Sequence, residues 1–231
     1  MINTAVDYIR NVDTFAAIGF ICKQEDPFTI TSTFNDVVRH LYWEDKDLPT
    51  VVSIGRAGIQ FGLAASKAAE IENTEAAKEL KTKTRAIAFN VASFTWPGWD
   101  EEGIDPNSTD VQLGYDAAKL GVRLNEEMDA DPLNFSSAFW MLGAHQLAAA
   151  KSIRAQQSFS QSAEYAVAAS SKSYELLAEA FEILAKAQAD PGDSGRTDKM
   201  DSVKNALTKE EHGPDFVDQV DTAARVFGIS I

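Results

Sequence analysis

Cysteine is nearly absent from this sequence, since Cys22 is the only one among 231 residues. A single thiol excludes an internal disulfide and a metal cluster built from several cysteines. Cys22 ends the apolar run 15–22, so we expect a buried, structural thiol. The run is too short to span a membrane and lacks a basic flank. We therefore predict neither a signal peptide nor a transmembrane segment, and we expect a cytoplasmic location.

Basic residues are also few, with 21 lysines and arginines against 35 aspartates and glutamates. The resulting net charge of −14 repels nucleic acid and anionic lipid surfaces. We therefore expect neither nucleic acid nor a membrane as a partner. The charge is compatible with a basic protein partner, although a solvated acidic surface also accounts for it.

The motifs that commonly mark metal or catalytic sites are missing. None of the three histidines (His40, His145 and His212) belongs to a His-Glu-x-x-His or Glu-x-x-His pattern. The acidic segments 100–105 and 129–131 lack the spacing of an EF-hand loop. No Gly-x-Ser-x-Gly elbow, P-loop or dinucleotide-binding glycine motif is present. We therefore predict no metal site and no cofactor, assign no catalytic residue, and favour a non-enzymatic protein.

Segments with the pattern of a strand are few, whereas alanine-rich segments bounded by helix-capping residues are frequent. Residues 28–34 alternate apolar and polar and could form a short strand. A lone strand would have no partner, so we favour a helix with Thr33 or Asn35 as its N-cap. A later helix is predicted to begin with a cap at Ser108 or Thr109. The prediction is an all-α fold of antiparallel helix pairs.

Breaks in the helical pattern suggest three segments. These are an N-terminal helical segment (1–49), a helical core (50–189), and a linker with C-terminal helices packed on the same domain (190–231). The linker is assigned to residues 190–198, which contain proline and glycines. Because residues 135–188 are too long for one ordinary helix, we expect a turn near residues 157–158 and another near residues 170–173.

One stretch resembles part of the tetratricopeptide repeat. Phe139-x-x-Leu142-Gly143 is followed by Ala155 and Phe159 at that family's spacing. The match covers about one repeat and departs from the family at Ser162, where alanine is preferred, and at Val167, where proline is preferred. The resemblance implies an irregular superhelix with a groove that binds peptides or proteins, and no groove residue can be transferred from the family. A multi-helix bundle whose small residues pack its helices is the other interpretation.

The most unusual local sequence is Trp96-Pro97-Gly98-Trp99-Asp100-Glu101-Glu102, which holds two of the four tryptophans. Aromatic rings in a loop between helices either plug the end of a bundle or bind something. If this loop binds, flat rings beside carboxylates suit a cationic or amine-bearing ligand, or a peptide with lysine or arginine. Trp96, Trp99, Asp100 and Glu101 are then the contact candidates, and Asn90 on the preceding helix could contribute.

A second group of candidates would line a pocket, if the fold forms one. Trp140, His145 and Arg123 are the residues we expect inside it, although His145 also fits a neutral core position. We therefore favour a non-catalytic scaffold that binds proteins or peptides. The alternatives are a small-molecule-binding protein or cryptic enzyme with a pocket near the Trp96/Trp99 loop, and a structural homo-oligomer.

Overall fold

The computed structural model describes residues 1–192 and 195–230. These residues form eleven α-helices and a 3₁₀ turn at Pro97–Trp99, and no strand occurs in the described ranges. The predicted all-α fold is therefore confirmed. None of the helices in these ranges is both long enough and apolar enough to cross a membrane.

The helices belong to two compact units. Unit 1 comprises Met1–Thr95 and Gly103–Met128, and unit 2 comprises Trp96–Glu102 and Asp129–Ile231. The three-segment division suggested by the sequence stays a prediction. Residues 193 and 194 of the predicted linker lie outside the described residues.

Unit 1 contains the first six helices. They are α1 (Ile2–Asn11), α2 (Thr14–Ile21), α3 (Pro27–Trp43), α4 (Leu48–Ala69), α5 (Thr74–Phe94) and α6 (Ser108–Met128). Helices α3, α4, α5 and α6 pack on their neighbours in chain order, and α3 also contacts α5. The buried core lies between these helices, with Phe34, Leu41, Ile54, Leu80 and Ile87 among its fully buried residues.

The segment that could have been a strand is the first part of α3. Asp26 is its N-cap, because the carboxylate accepts hydrogen bonds from the Thr29 amide at 2.9 Å and the Thr29 hydroxyl at 2.6 Å. Pro27 occupies the first turn, where its missing N–H has no cost. The predicted caps Thr33 and Asn35 are wrong, since both residues lie inside the helix.

The cap of α6 also differs from the prediction by one residue. Asn107 accepts hydrogen bonds from the amides of Thr109 at 2.8 Å and Asp110 at 3.2 Å. The Asp110 carboxylate in turn accepts from the Asn107 amide at 3.0 Å, as in a reciprocal capping box. Ser108 is therefore the first helical residue rather than the cap.

Three glycines of α4 allow close helix packing. A Cβ at Gly55 would overlap Val91 of α5, one at Gly62 would overlap Thr84 of α5, and one at Gly58 would lie 2.7 Å from Phe34 of α3. These positions follow one face of α4 at spacings of three and four residues. The glycines therefore fix how closely α4 approaches its two neighbours.

Unit 2 contains the 3₁₀ turn and the last five helices. The helices are α7 (Pro132–Ala148), α8 (Ser152–Ala168), α9 (Lys172–Ala189), α10 (Arg196–Leu207) and α11 (Gly213–Val226). Each packs against the next in chain order, and α11 also packs on α9 and on the 3₁₀ turn. Helix α10 begins inside the segment predicted as a linker.

The packing of α7 on α8 involves the residues of the tetratricopeptide resemblance. A Cβ at Gly143 would lie 2.7 Å from the ring of Phe159, which is fully buried together with Ala155. Farther along the pair, the hydroxyls of Ser136 and Ser162 lie 3.3 Å apart. The close approach of Phe159 accounts for the glycine at position 143. The tetratricopeptide repeat itself stays a prediction.

The chain turns between α7 and α8 seven residues earlier than predicted. The predicted turn at residues 157–158 is wrong, because both lie in the middle of α8. The chain reverses instead around Ala150, whose φ is +52°. The Lys151 amide donates to the Gln146 carbonyl at 2.8 Å and so closes the end of α7.

The expectation of a buried Cys22 is also wrong. Cys22 follows the last residue of α2 and is exposed. The buried side of that helix is formed by Ala17 and Ile21. Partial burial still raises the pKa of the Cys22 thiol.

The glycine packing in unit 1 gives a test with a matched control. Replacing Gly55 by alanine forces the new methyl group into Val91. We therefore expect the free energy of unfolding to fall by about 1–3 kcal/mol. At Gly121 of α6, no atom of the described residues lies within 4 Å of an added Cβ. Gly121→Ala should therefore stabilise unit 1 by up to about 1 kcal/mol, because alanine favours a helix over glycine. Urea unfolding of both variants measures the difference, and equal effects would contradict the packing described.

Candidate functional site

The loop 96–102 is part of unit 2, although it lies between two helices of unit 1 in the sequence. Pro97 opens its 3₁₀ turn, and Asp100 closes the turn in the left-handed region with a φ of +50°. A Cβ at Gly98 would overlap the Trp96 ring, so only glycine lets the turn fold over that ring. The local sequence thus places the two tryptophans together.

Trp96 is a core residue of unit 2. Its side chain is 1% exposed, and its indole Nε1 donates a hydrogen bond to the Ala144 carbonyl of α7 at 3.0 Å. Four aromatic rings surround it. The centroid distances are 4.9 Å to Trp99, 5.5 Å to Trp140, 6.1 Å to Phe181 and 6.0 Å to Phe227.

The aromatic cluster contains a second nearly buried indole, that of Trp140. Trp140 of α7 is 7% exposed and packs edge-on against Phe181 at 4.9 Å. Its Nε1 is buried and has no hydrogen-bond partner among the described residues. Such a donor is uncommon in a core and costs free energy. His145, also on α7, is fully buried.

The carboxylates of the loop lie at the surface. Asp100 forms an ion pair with Arg225 of α11 at 2.8 Å, and more than half of each side chain is exposed. A pair this exposed adds at most about 1 kcal/mol. Glu101 is partly exposed. The loop therefore presents acidic groups outside and aromatic rings inside.

The remaining two candidates belong to unit 1. Asn90 of α5 donates a hydrogen bond to the Asn35 side chain of α3 at 2.8 Å. Arg123 of α6 forms an exposed ion pair with Glu127 at 3.5 Å. Within unit 2, the structure brings together Trp96, Trp99 and Trp140, which the sequence had placed in two separate groups.

Unit 2 also has a surface groove of about 640 Å³ across α8, which we call the glutamine groove. Its lining is polar, with residues from α7, α8 and α9. They are Gln146, Arg154, Gln156, Gln157, Ser158, Ser160, Gln161 and Glu182. The opposite side of α8 carries Ala155, Phe159 and Ala166 into the core, which leaves the glutamines facing outwards.

Gln146 is held in place at the base of this groove. It is 7% exposed, and its side-chain Oε1 accepts a hydrogen bond from the Ser158 hydroxyl at 2.8 Å. No described residue accepts a hydrogen bond from its Nε2. On the other side, Gln156 Nε2 donates to the Ala185 carbonyl of α9 at 3.4 Å. The groove thus holds amide groups in fixed positions.

The sequence alone did not predict this groove. One signal was available, because residues 156–161 contain three glutamines and two serines within a helical segment. The sequence predicted a turn at residues 157–158 within this segment instead. The contributions of Gln146 and Glu182 require the packing of three helices, so local sequence does not reveal them.

The described residues contain no group of three or more histidine, cysteine, aspartate or glutamate side chains placed to hold a metal ion. Comparison of the chain with family models, with curated proteins and with solved structures gives no significant match.

The two loop tryptophans should differ in their effect on stability. Trp96→Phe removes the hydrogen bond to Ala144 and leaves a void in the core. We therefore expect the free energy of unfolding to fall by about 2–4 kcal/mol. Trp99→Phe changes a partly exposed ring and should cost clearly less. Urea unfolding followed by circular dichroism provides the measurement. If the two variants lose similar amounts of stability, the conclusion that Trp96 is buried in the core and Trp99 is not would be contradicted.

Proposed function

We propose that this chain is a protein-interaction module that binds an extended peptide segment in the glutamine groove, without a catalytic role. The groove is the observation that supports the proposal most directly. Four glutamine side chains converge there on a depression of about 640 Å³. Each amide offers both a donor and an acceptor, as does each peptide group of an extended chain.

The fixed amide of Gln146 gives the groove a defined contact point. Its Oε1 accepts from Ser158, which leaves its Nε2 as a donor for an incoming carbonyl. A donor held in advance loses little conformational entropy on binding. The exposed Gln157 and Gln161 supply adaptable contacts around it.

Charge in the groove favours a peptide of mixed or low charge. Arg154 and Glu182 carry opposite signs, so the lining is close to neutral. The chain as a whole has a net charge of −14. This charge would speed the approach of a basic partner at low salt. We therefore expect a basic protein to present a polar, extended segment to the groove.

The expected affinity is modest. A net hydrogen bond contributes about 0.5–1.5 kcal/mol, and the groove offers few apolar contacts. A dissociation constant on the order of micromolar or weaker follows from a handful of such bonds. The resemblance of α7 and α8 to one tetratricopeptide repeat supports a binding role but identifies none of the groove residues.

A small-molecule site near the Trp96/Trp99 loop is the second candidate. The Nε1 of Trp140 favours it, because no described residue accepts from that donor and a ligand carbonyl could satisfy it. The rings around Trp96 oppose it, since a ligand would have to displace at least one of them. The peptide proposal requires no such rearrangement.

Selection from a random peptide display library on the immobilised protein tests the proposal. We expect an enriched sequence family whose synthetic peptide binds with micromolar affinity by calorimetry. The double variant Gln157→Ala/Gln161→Ala should weaken that binding at least about tenfold, since it removes two amides of the lining.

Gln60→Ala provides the matched control. Gln60 is an exposed glutamine on α4 of unit 1, and its replacement should leave peptide binding unchanged. The proposal is wrong if no peptide is enriched, or if the enriched peptide binds the groove variant as tightly as the wild type.

A further inference from the structure

A row of partly exposed apolar side chains on α7 leads into the glutamine groove. Phe135, Phe139 and Leu142 are each partly exposed, and Gln146 follows at the base of the groove. Their spacing of four, three and four residues places all four on one side of the helix. The groove therefore continues along α7 as an apolar strip.

Helix α8 carries a matching row. Ser158 and Tyr165 are seven residues apart and lie on the same side of α8. Their contacts with α7 fix the register of the two rows. The Ser158 hydroxyl donates to Gln146 at 2.8 Å, and the centroid of the Tyr165 ring lies 4.7 Å from that of Phe135 and 5.6 Å from that of Phe139. One seam between the two helices thus runs from the glutamines to three aromatic rings.

The three rings form a flat surface, which we call the aromatic shelf (Phe135, Phe139 and Tyr165). The planes of the two phenylalanine rings lie 14° and 7° from the plane of the tyrosine ring. All three side chains are partly exposed, unlike Trp96 in the core of the same unit. Single exposed apolar side chains are ordinary, whereas a contiguous patch marks an interaction site.

The charged groups beside the shelf are acidic. Glu164 directly precedes the tyrosine, and Asp131 lies one turn before the first phenylalanine. Both carboxylates are exposed, and no described residue forms an ion pair with either of them. The next lysine along the chain, Lys172, is paired with Glu175 at 2.8 Å. The shelf therefore lies beside negative charges that this unit does not compensate.

We propose that the aromatic shelf binds an arginine side chain of the peptide whose backbone lies in the glutamine groove. The inference depends on the proposed function and specifies the class of partner, an extended segment that contains arginine. A guanidinium is planar and stacks on aromatic faces, while its N–H groups donate to carboxylates such as that of Glu164. The net charge of −14 favours the same ligand.

The length of the seam fits one extended segment. Ser158 and Tyr165 are seven residues apart, which is about 10 Å along a helix. An extended peptide covers that distance in about three residues. An arginine about three residues from the carbonyl that accepts from Gln146 Nε2 therefore reaches the shelf.

A leucine or phenylalanine side chain is the other occupant that such a shelf could have. Burial of apolar surface would favour it. The carboxylates of Asp131 and Glu164 would contribute nothing to its binding, whereas they attract a guanidinium. Arginine therefore accounts for more of the observed residues.

Selection from a random dodecapeptide display library, run in parallel on the wild type and on Tyr165→Leu, tests the proposal. The variant keeps an apolar side chain and an unchanged groove but removes the ring on which both phenylalanines stack. We expect arginine at one position of the peptide family selected on the wild type. The family selected on the variant should show no preference for arginine.

Calorimetry with the synthetic wild-type-selected peptide then measures the coupling. Tyr165→Leu should weaken its binding about two- to fivefold, and so should replacing the peptide's arginine by leucine. The two changes together should weaken binding no more than either one alone, because both remove the same contact. A merely structural effect of Tyr165→Leu would instead weaken the arginine and leucine peptides equally.

Matched controls are available in unit 1. Phe89→Leu changes a ring on α5 that is 40% exposed, and it should leave binding unchanged. Glu164→Gln should weaken the arginine peptide but not its leucine form, whereas Glu126→Gln, at an exposed position of α6, should affect neither. Circular dichroism checks that every variant folds.

The outcomes separate this proposal from the one on which it depends. Suppose that a selected peptide loses binding in Gln157→Ala/Gln161→Ala but shows no arginine preference, or that its arginine is not coupled to Tyr165. The arginine site is then wrong, while the peptide groove stands. Coupling of a leucine or phenylalanine to Tyr165 would assign the shelf to an apolar side chain and also overturn the proposal. If no peptide is enriched, both proposals are wrong.

Discussion

The burial of Trp96 is the interaction on which the arrangement of unit 2 depends. Its indole N–H is tied to the Ala144 carbonyl of α7, and its ring contacts Trp99, Trp140, Phe181 and Phe227. A segment from outside α7–α11 thus fills the space between those helices. Gly98 and the left-handed Asp100 exist in the loop because the chain must fold tightly over that ring. The loop therefore contributes mainly to the core of unit 2.

Small residues set how closely the helices pack and therefore which side of a helix remains at the surface. Gly143 admits the Phe159 ring between α7 and α8, so α8 directs its apolar side inwards and its glutamines outwards. Polar side chains from three helices then converge on one groove. In unit 1, the glycines of α4 allow α3 and α5 to pack closely against it. Helix α2 retains an exposed apolar residue, Phe15. The proposed binding groove thus follows from the packing of α8 against α7 and α9.

The sequence predicted the fold class because helix starts and breaks are local. Residues 28–34 lie in a helix, as the sequence favoured, and α6 begins within one residue of its predicted cap. The helix end at Ala150 was not predictable, because alanine there adopts the left-handed conformation that usually signals glycine. The turn expected near residues 170–173 does separate α8 from α9. The glutamine groove and the burial of Trp96 depend on contacts between residues far apart in the chain. The exposure of Cys22 depends on which side of α2 unit 1 covers.

Hydrogen exchange at the tryptophan indoles, followed by NMR, tests the central claim most directly. The Trp96 indole N–H, identified by its absence in a Trp96→Phe sample, should exchange as slowly as the backbone amides of the unit 2 core, because it is buried and bonded to Ala144. Exchange of this proton as fast as that of an exposed indole would show that the loop does not belong to the core, and would contradict the account.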